Sequence, residues 1–176
     1  INKQHMTIHW KHIVKDDDRV PSTEATLKEK ATLVGRIGQM MLSVGTGAWR
    51  VRNSMNEVAR TLGISCTADI GLLSIEFTCY EESGTYTHSI ALPTTGVNTD
   101  KLNALEAFMR EFPEMATQIS AKQIHLVLDE IQKKPANYKA WNLGLAAAIA
   151  CCAFTFLLGG GPMEMICAFF GAGVGN

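Results

Sequence analysis

The spacing of apolar residues changes period along the chain. From "PSTE" onward, Leu27, Ala31, Val34, Ile37 and Met41 fall at helical intervals. That predicts a helix running to about Val44 and stopping at Gly45. Ser22 or Thr23 can cap its free amides, and Glu24 suits its first turn. Gly35 and Gly38 inside it either weaken it or admit a close neighbour. After the break "GTG", Val51, Met55, Val58 and Leu62 form a second apolar stripe. Arg50, Asn53 or Ser54, and Glu57 form the polar one, and Gly63 suits the helix end. The short connection predicts a helical hairpin.

The period then switches to two. Over about 72–80, Leu73, Ile75, Phe77 and Cys79 alternate with Ser74, Glu76 and Thr78. Over about 85–92, Tyr86, His88, Ile90 and Leu92 share a face. "ESG" between them predicts a β-hairpin turn. Cys66 to Ile70 can add a third strand. Helical spacing returns with Leu102, Leu105, Met109 and Phe112, capped by Asn98 or Thr99 and ended by Pro113. A last amphipathic helix opens on a Ser120-x-x-Gln123 capping box, carries Ile124, Val127, Leu128 and Ile131, and ends at Pro135.

Beyond this the periodicity disappears. Trp141 to Met163 carries no charge, and after Ala140 the only charged residue is Glu164. Such a run exceeds the roughly 20 residues that cross a hydrocarbon core. Tyr138 and Trp141 sit at its edge, with Lys133, Lys134 and Lys139 on its N-terminal side. That arrangement predicts a transmembrane helix whose N-terminus lies in the cytosol. "LLGGGP" reads as a tight turn, and "MEMICAFFGAGVGN" as the start of a second span, cut after about half its length. Gly144, Ala148 and Cys152 at i, i+4, i+8, and Gly171 with Gly175, are candidate helix-packing faces.

The expected fold is therefore α+β: a helical hairpin, a small antiparallel sheet and two further helices, then membrane helices. Residues 1–21 read as a polar arm, 22–137 as a cytosolic domain and 138–176 as the membrane segment. Average composition, 47% hydrophobic and 19% charged, hides the step at Ala140 that makes this division. A net charge of −1 without a basic run argues against nucleic acid as a partner. Cys66, Cys79, Cys151, Cys152 and Cys167 show neither CxxC nor zinc spacing; they read as buried apolar side chains in a reducing compartment. His5, His9 and His12 share a helical face, either a metal face or a solvated helix, with no carboxylate in register. Nothing at the N-terminus resembles a signal peptide.

The order of elements carries a family resemblance. "GTGAWRVRNSMNEVARTLGI", a β-hairpin, "LPTTGVNTDKLNAL", Tyr138-x-x-Trp141 and a Gly-rich hairpin follow one another. From about Leu33 to the end this resembles the bacterial threonine/serine exporter family, including smaller two-component members linked to succinate export. Gly45, Arg50, Val51, Gly63, Gly96 to Asn98, Leu102, Tyr138 and Gly159-Gly160 match best. The family usually has an acid after the Arg-Val pair, where this chain has Arg52. The resemblance implies a cytosolic module joined to an oligomeric bundle in the inner membrane. It implies export of serine, threonine or short dicarboxylates without a bound cofactor. The family has more membrane helices than this chain, so further helices, from the same protein or a partner subunit, complete the path. Export would be secondary, because no GxxxxGK[ST] loop is present.

Arg50 is the leading candidate, since a guanidinium can hold a solute carboxylate bidentately; an ion pair with Glu57 or Glu76 is the structural alternative. Glu57 and Asn98 are further candidates for solute binding or coupling. Glu164 can couple protons or contact solute, or serve as an interfacial cap after Pro162. A sensing or assembly module is a second functional class. A hydrolase is a third, with Ser54, Ser74, Cys66 and His88 as parts and Asp69 or Glu76 as orienters, although no GxSxG elbow is present.

Overall fold

A computed structural model describes residues 10–14, 19–134 and 140–174. The chain divides into two compact units, Ile1–Lys134 and Pro135–Asn176.

The first unit is α+β. Helices α1 (Leu27–Ser43) and α2 (Ala48–Thr61) lead into strands β1 (Ser65–Ile70), β2 (Ser74–Glu81) and β3 (Gly84–Ala91). Helices α3 (Thr99–Gln118) and α4 (Ala121–Lys133) complete it. The strands form one antiparallel sheet in the order β1-β2-β3. Glu81 pairs with Gly84, so the β2–β3 connection is the tight turn Glu82-Ser83. Helices α1 and α2 cover one face of the sheet. That face presents Ile75, Phe77 and Cys79, all buried, with Ile90 beside them.

The helical hairpin forms as its stripes require. Val51, Met55, Val58 and Leu62 are all buried against α1 and the sheet. Close approach occurs at Gly38, where an added Cβ would lie 2.5 Å from Met55 Sδ. Helices α1 and α2 end in the same way. Gly45 and Gly63 adopt φ of 80° and 72°. The next amide in each case, Thr46 or Ile64, bonds back to Met41 or Ala59. This is the glycine-terminated motif that uses up orphan helix carbonyls.

Three expectations change. The first helix does not start at Ser22 or Thr23: Ser22–Glu24 is a 3-10 turn, and α1 begins at Leu27. The reason is that Ser22 is committed elsewhere. Its backbone N–H and hydroxyl both donate to the Ile119 carbonyl, at 3.0 and 2.8 Å. Thr26 takes over the cap, and the Glu29 carboxylate accepts from its backbone N–H at 3.0 Å. Pro113 does not end α3 but lies inside it. An interior proline costs a helix about 3 kcal/mol, yet Phe112 and Ala116 on either side are fully packed and hold the helix through it. The N-terminal segment is not a solvated arm throughout: Trp10 is only 6% exposed and stacks on the His125 ring at 4.8 Å.

The second unit holds α5 (Ala140–Leu157) and α6 (Pro162–Val174), packed on each other. The uncharged run from Trp141 to Met163 is broken at the expected LLGGGP turn, which leaves α5 with 18 residues. Gly159, at φ 83°, ends α5, with Gly160 bonding back to Thr155. Among the described residues, no helix is long and apolar enough to cross a membrane.

Candidate functional site

Among the described residues, two of the concavities on the first unit bring together sequence-predicted polar side chains. The first lies between the polar face of α2 and strand β1. Asn53, Glu57 and Arg60 recur at i, i+4, i+7, opposite the buried stripe of the same helix. With Asn56, Ser65, Cys66 and Tyr80 they line an open groove of about 630 Å³. Glu57 and Arg60 put both charge signs into one recess.

The second concavity is formed by the "LPTTGVN" loop against the end of α1. The loop is tied down by Gly96 N–H to Ser43 O at 3.2 Å and Asn98 N–H to Val44 O at 3.3 Å. Ser43, Thr94, Thr95, Asn98, Lys101 and Gln132 are among the lining residues of about 420 Å³. Lys101 is tethered, donating from Nζ to the Gln132 carbonyl at 2.8 Å. Asn98 caps α3, its side chain accepting from Lys101 N–H at 3.0 Å.

Behind this loop lies a buried polar cluster that the sequence pattern did not show. Arg36 is fully enclosed in α1. It donates from Nη2 to Asp129 and, at 3.2 Å, to Gln132 Oε1. From Nη1 it donates to the His125 carbonyl at 2.9 Å. Trp10 covers the pair, with the guanidinium carbon 5.8 Å from its ring centre. Burial lowers the Arg36 pKa, opposed by Asp129. Burial and the Arg36 charge push the His125 pKa down to about 3, so the imidazole is neutral. The available signal was Arg36 itself, a charged residue among apolar positions of α1.

The proposed solute residues do not form one site. Arg50 pairs with Glu106 of α3, not with Glu57 or Glu76, and lines neither concavity. The spacing along α2 offers Glu57, whereas α3 packs beside that helix and brings Glu106 within reach. Glu57 lies in the α2–β1 groove and Asn98 in the loop cavity. Glu164 is exposed in the first turn of α6, in the second unit. On α5, Gly144 and Ala148 are buried and Cys152 is half-buried. Gly171 is exposed, and Gly175 lies outside the described residues.

Of the hydrolase parts, Cys66 and His88 are separated by strand register. Cys66 faces Cys79, and His88 faces Phe77 one row along, so Cys79 and Phe77 stand between the two. Asp69 and Glu76 alternate with Cys66 and Phe77 along their strands and therefore point to the other face of the sheet. Among the described residues no cluster of three or more metal-ligating side chains occurs. His12 is exposed there, while His5 and His9 lie outside those residues.

The model of the threonine/serine exporter family matches residues 32–176, which runs from α1 through both units. No curated protein and no solved structure matches the chain. Because the match covers most of the chain, from the α1–α2 hairpin to α6, this protein belongs to the threonine/serine exporter family.

Proposed function

We propose that the chain is a component of a secondary exporter that moves small carboxylate-bearing metabolites across the bacterial inner membrane. Serine and threonine are the first candidates, and short dicarboxylates such as succinate the next. The family match over residues 32–176 carries this reading. In it, the unit Pro135–Asn176 lies in the bilayer and the first unit in the cytoplasm. Lys133, Lys134 and Lys139 before α5 favour that orientation. Helices α5 and α6 leave Phe154, Phe156, Met163 and Phe170 each more than 60% exposed. Lipid and further helices of an oligomer are the natural cover for such surfaces. The test is efflux of preloaded serine, threonine and succinate from cells with and without the gene. Slower loss of at least one solute in the deletion supports the reading; equal loss of all three removes it.

The α2–β1 groove favours a second, compatible reading, in which the first unit senses the solute. Glu57 and Arg60 suit the ammonium and carboxylate of an amino-acid zwitterion. Calorimetry of the protein with serine, threonine and succinate tests this. Heat that disappears in Arg60→Ala supports it, and no heat with any of the three rejects it.

A further inference from the structure

Cys66 and Cys79 occupy directly opposed positions on β1 and β2. The kind of pairing follows from the ladder. Gly71 N–H donates to Ser74 O at 2.8 Å at the closing turn, which makes that pair a hydrogen-bonded one. Counting back, Asp69–Glu76 and Thr67–Thr78 are hydrogen-bonded, and Cys66–Cys79 falls in a non-hydrogen-bonded position. There the Cα atoms approach to about 4.5 Å and the side chains lean together. That separation lies inside the range a disulfide spans.

The two thiols already interact. The hydrogen bond between the thiols lowers the Cys66 pKa, whereas the same bond and burial raise that of Cys79, so Cys66 is the thiol that ionises first. Their exposure also differs. Cys79 is fully buried, while Cys66 is half-buried and lines the α2–β1 groove. One sulfur is therefore reachable by a small oxidant, and the second waits behind it. A pair with a reachable, thiolate-prone cysteine and an adjacent resolving cysteine is the arrangement that oxidises reversibly.

We propose that Cys66 and Cys79 form a reversible disulfide on reaction with a hydroperoxide, Cys66 being the attacking thiol and Cys79 the resolving one. In the first step the Cys66 thiolate, its proton released to solvent through the groove, attacks a peroxide oxygen. The O–O bond breaks, the departing hydroxide takes up a proton to leave as water, and Cys66 becomes a sulfenic acid. In the second step Cys79 sulfur attacks Cys66 sulfur. The S–O bond breaks, and hydroxide leaves with the Cys79 proton as a second water. Two thiols and one hydrogen peroxide thus give one disulfide and two waters. The bond staples β1 to β2 along the wall of the groove, so oxidation is read out at the surface that carries Glu57 and Arg60.

The test is peptide mapping of the full chain after hydrogen peroxide, with free thiols blocked before digestion. A parallel variant, Cys151→Ala/Cys152→Ala/Cys167→Ala, removes the other cysteines. The expected product is a peptide pair joined through Cys66 and Cys79, lighter by about 2 Da than the two thiol peptides together and separated again by dithiothreitol. Cys79→Ala, which keeps a small apolar side chain in the buried position, should lose the crosslink and accumulate sulfenic acid at Cys66, trapped by dimedone. Recovery of both cysteines as blocked thiols from the folded, peroxide-treated protein overturns the proposal. So does irreversible oxidation of Cys66 with no crosslink.

Discussion

Arg36 and His125, 89 residues apart, meet with both side chains fully enclosed, Nη1 lying 3.1 Å from Nδ1. A guanidinium only donates, so Nδ1 must accept and the imidazole must be neutral with its proton on Nε2. No partner for that Nε2 occurs among the described residues. The folded pKa of about 3 lies below the unfolded value of about 6.5. Protonation therefore favours unfolding, and stability falls as pH drops below about 6.5. Between pH 7 and pH 5 the loss should be about 2 kcal/mol from this residue alone. Urea unfolding at the two pH values checks it. His125→Gln should flatten the dependence, and an unchanged dependence in that variant would show that another group causes it.

The same cluster predicts an asymmetry. Asp129→Asn leaves the fully buried Arg36 charge without its counter-ion and should cost about 3–5 kcal/mol. Arg36→Met should cost less, because the Asp129 side chain is 23% exposed and water can take over its solvation. Equal losses in a denaturant titration would contradict this account of where the cost lies.

Helix packing at Gly38 gives a third expectation. Gly38→Val should destabilise by about 1–3 kcal/mol through overpacking against Met55, despite removing a helix glycine. Met55→Ala should partly restore it, since the clash is with that flexible side chain. A thermal melt of the single and double variants decides the point.

Arg50 is a surface group, with its side chain 44% exposed beside Glu106. Such pairs contribute about 0–1 kcal/mol, so Arg50→Ala should leave unfolding almost unchanged. Efflux lowered in that variant at unchanged stability and expression would then assign Arg50 a role in transport. Normal efflux would leave it an ion-pair partner of Glu106.

Much of the fold was legible because it depends on local chemistry. The Val51–Leu62 stripe, the Ile75–Cys79 alternation and the Ser120–Gln123 box each predicted their element. What escaped was set by distant residues. The Ile119 carbonyl claims Ser22 and moves the start of α1. Packing of Phe112 and Ala116 carries α3 through Pro113. His125 sits beside the apolar stripe of α4, and its role depends on Arg36 from α1, which no pattern within α4 shows. The candidate site depends on distant residues in the same way. Charge and spacing singled out Arg50, Glu57 and Asn98, but only the tertiary fold shows that they lie in different surroundings. Only the strand register turns two scattered cysteines into neighbours.

The β1-β2-β3 meander and the α1–α2 hairpin join sequence neighbours, so their closure entropies are small. Contacts between Arg36 and α4, by contrast, close a loop of 89 residues, and Trp10 on His125 closes a longer one. The helix that holds the pH-sensitive histidine should therefore dock late. Substitutions at Ile124 and Leu128 should accelerate unfolding with little effect on the refolding rate, whereas Val58 and Phe77 should slow refolding. The polar cluster is then a late lock, formed after the sheet and its two covering helices are in place.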